Sequence, residues 1–199
     1  MPNGRPDARL RSMVARTTKA PATYADLRAL PENVVGEILG GVLHGNPRPA
    51  IPHAQAATAL GEELGPPFRR GRGGPGGWIL LDEPELHLGA DILVPDLAGW
   101  RRARMPERPD TSFVTLSPDW VCEVVSPSTE AIDRGDKLPI YAREGVAHVW
   151  LVDPMVRTLE VFRLDGETYR LMGTWRDEAL VRAEPFEAFE LELATLWAR

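Results

Sequence analysis

Cysteine is almost missing from this sequence: Cys122 stands alone among 199 residues, which excludes an intrachain disulfide framework and any zinc site built on several thiolates. That scarcity favours a reducing compartment, with Cys122 expected as a small apolar core residue and not as a nucleophile. No stretch approaches the ~20 apolar residues of a membrane span, and the amino-terminal region holds no apolar segment of signal-peptide type. A cytoplasmic chain without membrane contact is therefore expected. The four histidines, His44, His53, His87 and His148, share no metal-ligand spacing. A surplus of positive charge is lacking as well. At a net charge of −6 the chain as a whole is no wrapper of nucleic acid, which takes many cations against phosphate, although a local basic groove is compatible with it.

What is present reads as a globular protein, 43% hydrophobic and 26% charged, of a length that fits one domain. Residues 1–22 form an expected flexible basic tail, with Arg5, Arg9, Arg11, Arg16 and Lys19 against Asp7, ahead of a single domain over 23–199. Thr23 has Asp26 three positions on, an N-cap signal for a short helix that Pro31 ends. VVGEILGGVLH predicts a strand pair bent at Gly40-Gly41, with Glu37 embedded among apolar residues. The turn-rich GNPRPAIP follows, then a helix from His53 to Leu64, with His53 read as a surface or capping residue. Gly65 to Trp78, rich in glycine and proline, predicts a flexible basic loop carrying Arg69, Arg70 and Arg72.

Short strands follow over Trp78–Leu81, Glu85–Leu88 and 90–94, and Asp96 opens another after Pro95. Arg101, Arg102, Arg104 and Arg108 make a second local concentration of positive charge. The stretch from Pro118 to Pro154 reads as a buried strand (Trp120–Val125), a helix (Thr129–Glu144) and a second buried strand (Ala147–Val152). Two alternating segments about Asp165-Gly166 predict a hairpin. A last strand and a closing segment around Leu191, Leu193 and Leu196 complete one α/β domain.

Glu123 is the residue that most needs explanation, because an ionised carboxylate within a run of β-branched residues requires a cation or strong donors. Glu37 and Asp96 sit in similar contexts, and Lys137 lies on the helix that follows Glu123. If the strands bearing Asp96 and Glu123 are neighbours, their carboxylates can converge on a hard divalent cation with the Val124 carbonyl as a further ligand. Such an ion polarises a phosphodiester and activates water. Lys137 would hold the phosphate or stabilise the developing charge, which is the chemistry of a metal-dependent nuclease.

Asp96 in PD, Glu123 in WVCEVVSPST, Asp133 and Lys137 in DRGDK, Tyr141-Ala142 with Gly145-Val146, and Trp150 to Pro154 occur in an order that resembles the Uma2 family. These are bacterial proteins described as restriction endonucleases, within the PD-(D/E)XK superfamily. The resemblance reaches upstream to GEILGG around Glu37 and to His53, and covers roughly Thr23 to Leu164. It implies a restriction-endonuclease-like core, αβββαβ in outline, with a mixed central sheet flanked by helices and an added C-terminal β-hairpin. It further implies Glu37, Asp96 and Glu123 as ligands of Mg2+ or Mn2+ and Lys137 as the catalytic lysine of a DNA endonuclease. Two departures stand out. The superfamily places lysine two residues after the second acid, where this chain has Val125, and the upstream motif usually has tyrosine and aspartate where Gly36 and Gly40 stand here.

Arg69, Arg70 and Arg72, together with Arg134 and Tyr141 on the face shared with Lys137, are the expected nucleic-acid contacts. RNA as substrate and a homodimer that cuts both strands stay open. Plainer readings compete: an i,i+4 ion pair of Lys137 with Asp133, Asp96 as a strand opener, Glu37 paired with an arginine, and Glu123 in a buried ion pair with Lys137. The rival functions are a catalytically inactive nuclease-fold module binding nucleic acid or protein, and a two-carboxylate glycosidase needing an aromatic-lined groove.

Overall fold

The structure is a computed structural model that describes residues 20–47 and 49–198. The expected basic tail lies, up to residue 19, outside the described residues. Thr23 and Asp26 cap helix α1 (Tyr24–Arg28) reciprocally, each side chain taking the other's backbone N–H. Strands β1 (Val34–Leu39) and β2 (Val42–Pro47) form a hairpin. Its turn, Gly40-Gly41, has φ of 57° and 79°, the left-handed pair that a two-residue hairpin turn demands and glycine adopts without strain. Gly36 has a different reason: a Cβ there would stand 2.6 Å from Leu30 Cδ1 and 3.0 Å from Leu27 Cγ. Leu27 of α1 and Leu30 just beyond it fill the space a larger residue would take.

Helix α2 (Ile51–Leu64) leads to a six-stranded sheet in the order β10-β9-β8-β7-β6-β3, made of β3 (Trp78–Asp82), β6 (Leu97–Arg101), β7 (Trp120–Val124), β8 (His148–Asp153), β9 (Thr158–Asp165) and β10 (Thr168–Arg176). Every neighbouring pair is antiparallel except β7 and β8. That pair is bridged by helices α3 (Glu130–Ile132) and α4 (Leu138–Arg143), the crossover that parallel strands require. Read along the chain, α2, β3, β6, β7, α4 and β8 give αβββαβ, with β9 and β10 as the added hairpin. A second sheet, β2-β1-β5-β4, contains β4 (Leu86–Leu88) and β5 (Asp91–Leu93). Strands β11 (Leu180–Val181) and β12 (Leu191–Glu192) close the chain.

Two apolar layers sandwich the large sheet. Trp120, Cys122 and Val124 pack with α2, Trp150 and Phe186, whereas Val121 and Val125 pack with Ile140, Tyr141 and the second sheet. Cys122 is fully buried, and burial pushes its thiol pKa well up. Among the described residues no helix is long and apolar enough to cross a membrane.

The structure corrects several local expectations. GPPFR is no flexible loop: Gly65–Arg69 continues α2 as a widened turn because Pro67 and Phe68 are buried. Gly45 to Pro47, expected in a turn, extend β2. The hairpin turn sits one residue later than expected, at Gly166-Glu167, with Asp165 paired to Thr168. The helix over 129–144 is interrupted by a widened turn, Asp133–Lys137.

Candidate active site

Side chains alternate along β7, so the row holding Val121 and Val125 also aims Glu123 at the layer covered by α4, where it is 2% exposed. The chain then returns over that face. Pro139 lacks the N–H that would bond one turn back, and the backbone answers with an i→i+5 bond from Leu138 N–H to the Asp133 carbonyl. Single turns of this kind are frequent at functional sites. Here the widened turn hangs Asp133 and Lys137 inward, both buried.

Four charged side chains meet as a result. The Lys137 ammonium lies 3.0 Å from Glu37 Oε1, 3.2 Å from Glu123 Oε2 and 3.3 Å from Asp133 Oδ1. Tyr141, one turn on, donates its hydroxyl to Glu123 Oε1 at 2.6 Å. Glu37 arrives from the other sheet and is held by the Val94 N–H at 2.8 Å and by Asn46 Nδ2 at 3.4 Å. Three carboxylates thus surround one ammonium, and burial disfavours the negative charge left over. Burial raises the Glu123 pKa well above the usual carboxylate range; Lys137 pulls against it, while Asp133, Asp96 and Glu37 add to it. Burial also raises Asp133. Burial pulls Lys137 down, but Glu123, Glu37 and Asp133 outweigh it and keep the ammonium charged.

Asp96 stands beside this cluster at the opening of β6. Its Oδ2 accepts the Val124 N–H at 2.7 Å and its Oδ1 lies 2.5 Å from His53 Nε2. Asp96, Glu37, Glu123, Asp133 and Lys137 line one cavity of about 380 Å³. Asp96 and His53 also border a second cavity of about 760 Å³ that runs along α2 to Arg69 and Arg70.

The structure therefore brings Glu37, Asp96, Glu123, Val124 and Lys137 to one place. The plainer ion pairs of Lys137 with Asp133 and with Glu123 are both present there. His53, expected at the surface or as a cap, instead reaches into the cleft from α2. No sequence spacing links it to Asp96, 43 residues away. Asn46 was missed too, though the hairpin register pairs Glu37 with His44 and so makes Asn46 its diagonal neighbour.

Two expected nucleic-acid contacts are corrected. Tyr141 is fully buried behind Glu123, and Arg134 points away to Glu130 and Glu160, the latter on β9. Arg69 and Arg70 are exposed at the groove, whereas Arg72 lines neither cavity. Among the described residues no phenylalanine, tyrosine or tryptophan lines the cavity around Glu123, so they supply no aromatic sugar platform of the kind a glycosidase needs.

The donor set fits a hard divalent cation in chemistry: several carboxylate oxygens in one cavity, with Val124 in its lining, and an excess of negative charge. As it stands, the ammonium occupies the point where the oxygens meet. Among the described residues no three of His, Cys, Asp or Glu form a ready metal cage.

Known proteins place this arrangement in context. No curated protein matches the chain. A crystal structure described as a putative nuclease belonging to DUF820, from Anabaena variabilis, superposes with a TM-score of 0.69 at 21% sequence identity, over 89% of this chain and 98% of that one. The likeness establishes a shared restriction-endonuclease-like fold. Residues 21–195 match the Uma2 family, whose description is "Putative restriction endonuclease". With most of its length covered by that match and its acids and lysine gathered at one cleft, the chain belongs to the Uma2 family.

Proposed function

We propose that this protein is a divalent-cation-dependent endonuclease that hydrolyses phosphodiester bonds in DNA. The observation that carries the reading is the cluster of Glu37, Glu123 and Asp133 around a single ammonium, with Asp96 in the same cavity. A scaffold ion pair needs one acid for one base, and surplus buried carboxylates cost stability. A site for Mg2+ or Mn2+ needs that surplus. Restriction endonucleases act on DNA, and the family's description supports DNA over RNA.

The cation would be held by Asp96 and Glu123, with Glu37 and the Val124 carbonyl as further ligands; when bound it polarises the phosphodiester and acidifies a water. The Val124 N–H and His53 fix the orientation of Asp96, and Tyr141 fixes Glu123. Lys137, paired here with Glu37, Glu123 and Asp133, would be the donor to the phosphate and to the charge developing there. Tyr141 is thus a positioning residue. Tyr141→Phe should cost roughly 1–3 kcal/mol of stability by stripping Glu123 of a donor. It should also lower cleavage by about 10-fold or more, readable as a urea midpoint and a nicking rate on one preparation.

A specific observation favours a second reading, a nuclease-fold module without catalysis. Every oxygen of Glu37, Asp96 and Glu123 already has a partner within the chain. Isothermal titration separates the two. The nuclease should bind Mn2+ with release of protons, because Glu123 and Asp133 hold them above the usual range; a permanently closed ion-pair cluster should give no heat of binding. Plasmid nicking in Mg2+ or Mn2+, absent in EDTA, completes the test.

A further inference from the structure

Two arginine groups that are far apart in sequence meet at the end of the groove remote from Asp96. Arg69 borders the 760 Å³ cavity that begins at His53 and Asp96, and it also borders a cavity of about 650 Å³ with Arg102 and Arg108. The segment bearing those two arginines, between β6 and β7, is anchored: Met105 is buried, Arg104 pairs with Asp119 at 3.0 Å, and the Arg102 N–H bonds the Gly77 carbonyl at 2.8 Å. Arg69, Arg70, Arg102 and Arg108 are exposed, and none has a carboxylate within ion-pair distance among the described residues. Glu107 and Asp110 share the cavity and offset part of the charge, leaving three arginines against two acids. Glu62, Asp82 and Glu83 line the same groove, Glu83 at its Asp96 end, where its N–H bonds the Asp96 carbonyl at 3.0 Å.

In a chain of net charge −6, unpaired exposed arginines gathered at the end of a groove that begins at the acid site suit a polyanion that spans from that site to them. From His53 to Arg69 is 16 residues of helix, about 24 Å at ~1.5 Å per residue. A duplex advances ~3.4 Å per base pair, so the two ends lie about seven steps apart.

We infer that Arg69, Arg102 and Arg108 form a second contact for the sugar–phosphate backbone of a duplex, about seven base pairs from the bond held at Asp96 and Glu123. This rests on the nuclease reading for what happens at the other end, but its test needs no cleavage. Binding of labelled mixed-sequence DNA and RNA duplexes of increasing length is followed by fluorescence anisotropy in Ca2+, a hard cation for the acid site, for wild type and for Arg69→Gln/Arg102→Gln/Arg108→Gln. Wild-type affinity should step up once a duplex exceeds about eight base pairs. The triple variant should lack the step, bind long duplexes ~10²-fold more weakly near 0.1 M salt, and lose about 2.7 from the slope of log K against log salt, at ~0.9 per phosphate. Its melting temperature should match wild type, since the three side chains are exposed.

An unchanged slope, a wild type that binds no duplex, or a length dependence shared by both proteins overturns the inference. A wild type that binds in this way yet cuts nothing in Mn2+ keeps the inference and rejects the nuclease. A wild type that cuts, beside a triple variant that binds and cuts equally well, does the reverse.

Discussion

Glu123→Gln should abolish DNA cleavage while leaving the fold at least as stable as wild type. Loss of one carboxylate of the proposed cation site, on the scale of losing a central electrostatic group in other active sites, would amount to at least ~10²-fold in rate. Stability moves the other way because Glu123 is buried in a negative surplus that holds its pKa well up. The sign is fixed by linkage. A carboxyl whose folded pKa exceeds its unfolded value stabilises the protein below the ordinary range near ~4 and loses that contribution as pH rises through the folded pKa. Asp133 behaves alike, whereas His148, lowered by burial, acts in the opposite sense. The difference in melting temperature between Glu123→Gln and wild type isolates Glu123. In EDTA it should grow in the variant's favour from about pH 4 upward, and in Mg2+ it should reverse. A variant that melts far below wild type in EDTA at neutral pH, or one that still nicks plasmid, would defeat this account of Glu123.

Lys137→Ala should have the largest effect on the fold. It leaves Glu37, Glu123 and Asp133 buried together with no cation, and removing one partner of a buried ion pair costs about 3–5 kcal/mol. In a chain of this size that lowers the melting temperature by roughly 10 °C. Acidification to about pH 5, or Mg2+ or Mn2+, should restore much of the loss, because protons and divalent cations neutralise the same crowd of charge. Cleavage should stay low even where stability returns, since no ammonium faces the phosphate. Full nicking activity in the restored variant would remove Lys137 from the chemistry.

Much of this was legible wherever a feature is set by residues adjacent in sequence. Gly40-Gly41 announces a left-handed turn, Thr23 and Asp26 announce a cap, and an acid in a β-branched strand announces buried charge. The helix carrying Lys137 was visible, but its rotational phase was not. Tyr141 therefore looked like a phosphate contact and is a strut behind Glu123, and Arg134 is spent on Glu160 two strands away. GPPFR reads as loop by composition, yet burial of Pro67 and Phe68 overrides propensity. Pairs such as His53 with Asp96 depend on packing between a helix and a strand opening, which local pattern does not encode.

Cys122, the only thiol, is sealed inside a central strand with burial holding its pKa up, so maleimide reagents at neutral pH pass over it. The protein is a natural blank for labelling. One new cysteine on its surface would carry the sole probe in the molecule, and the distance from that probe to a paramagnetic ion would serve as an internal ruler.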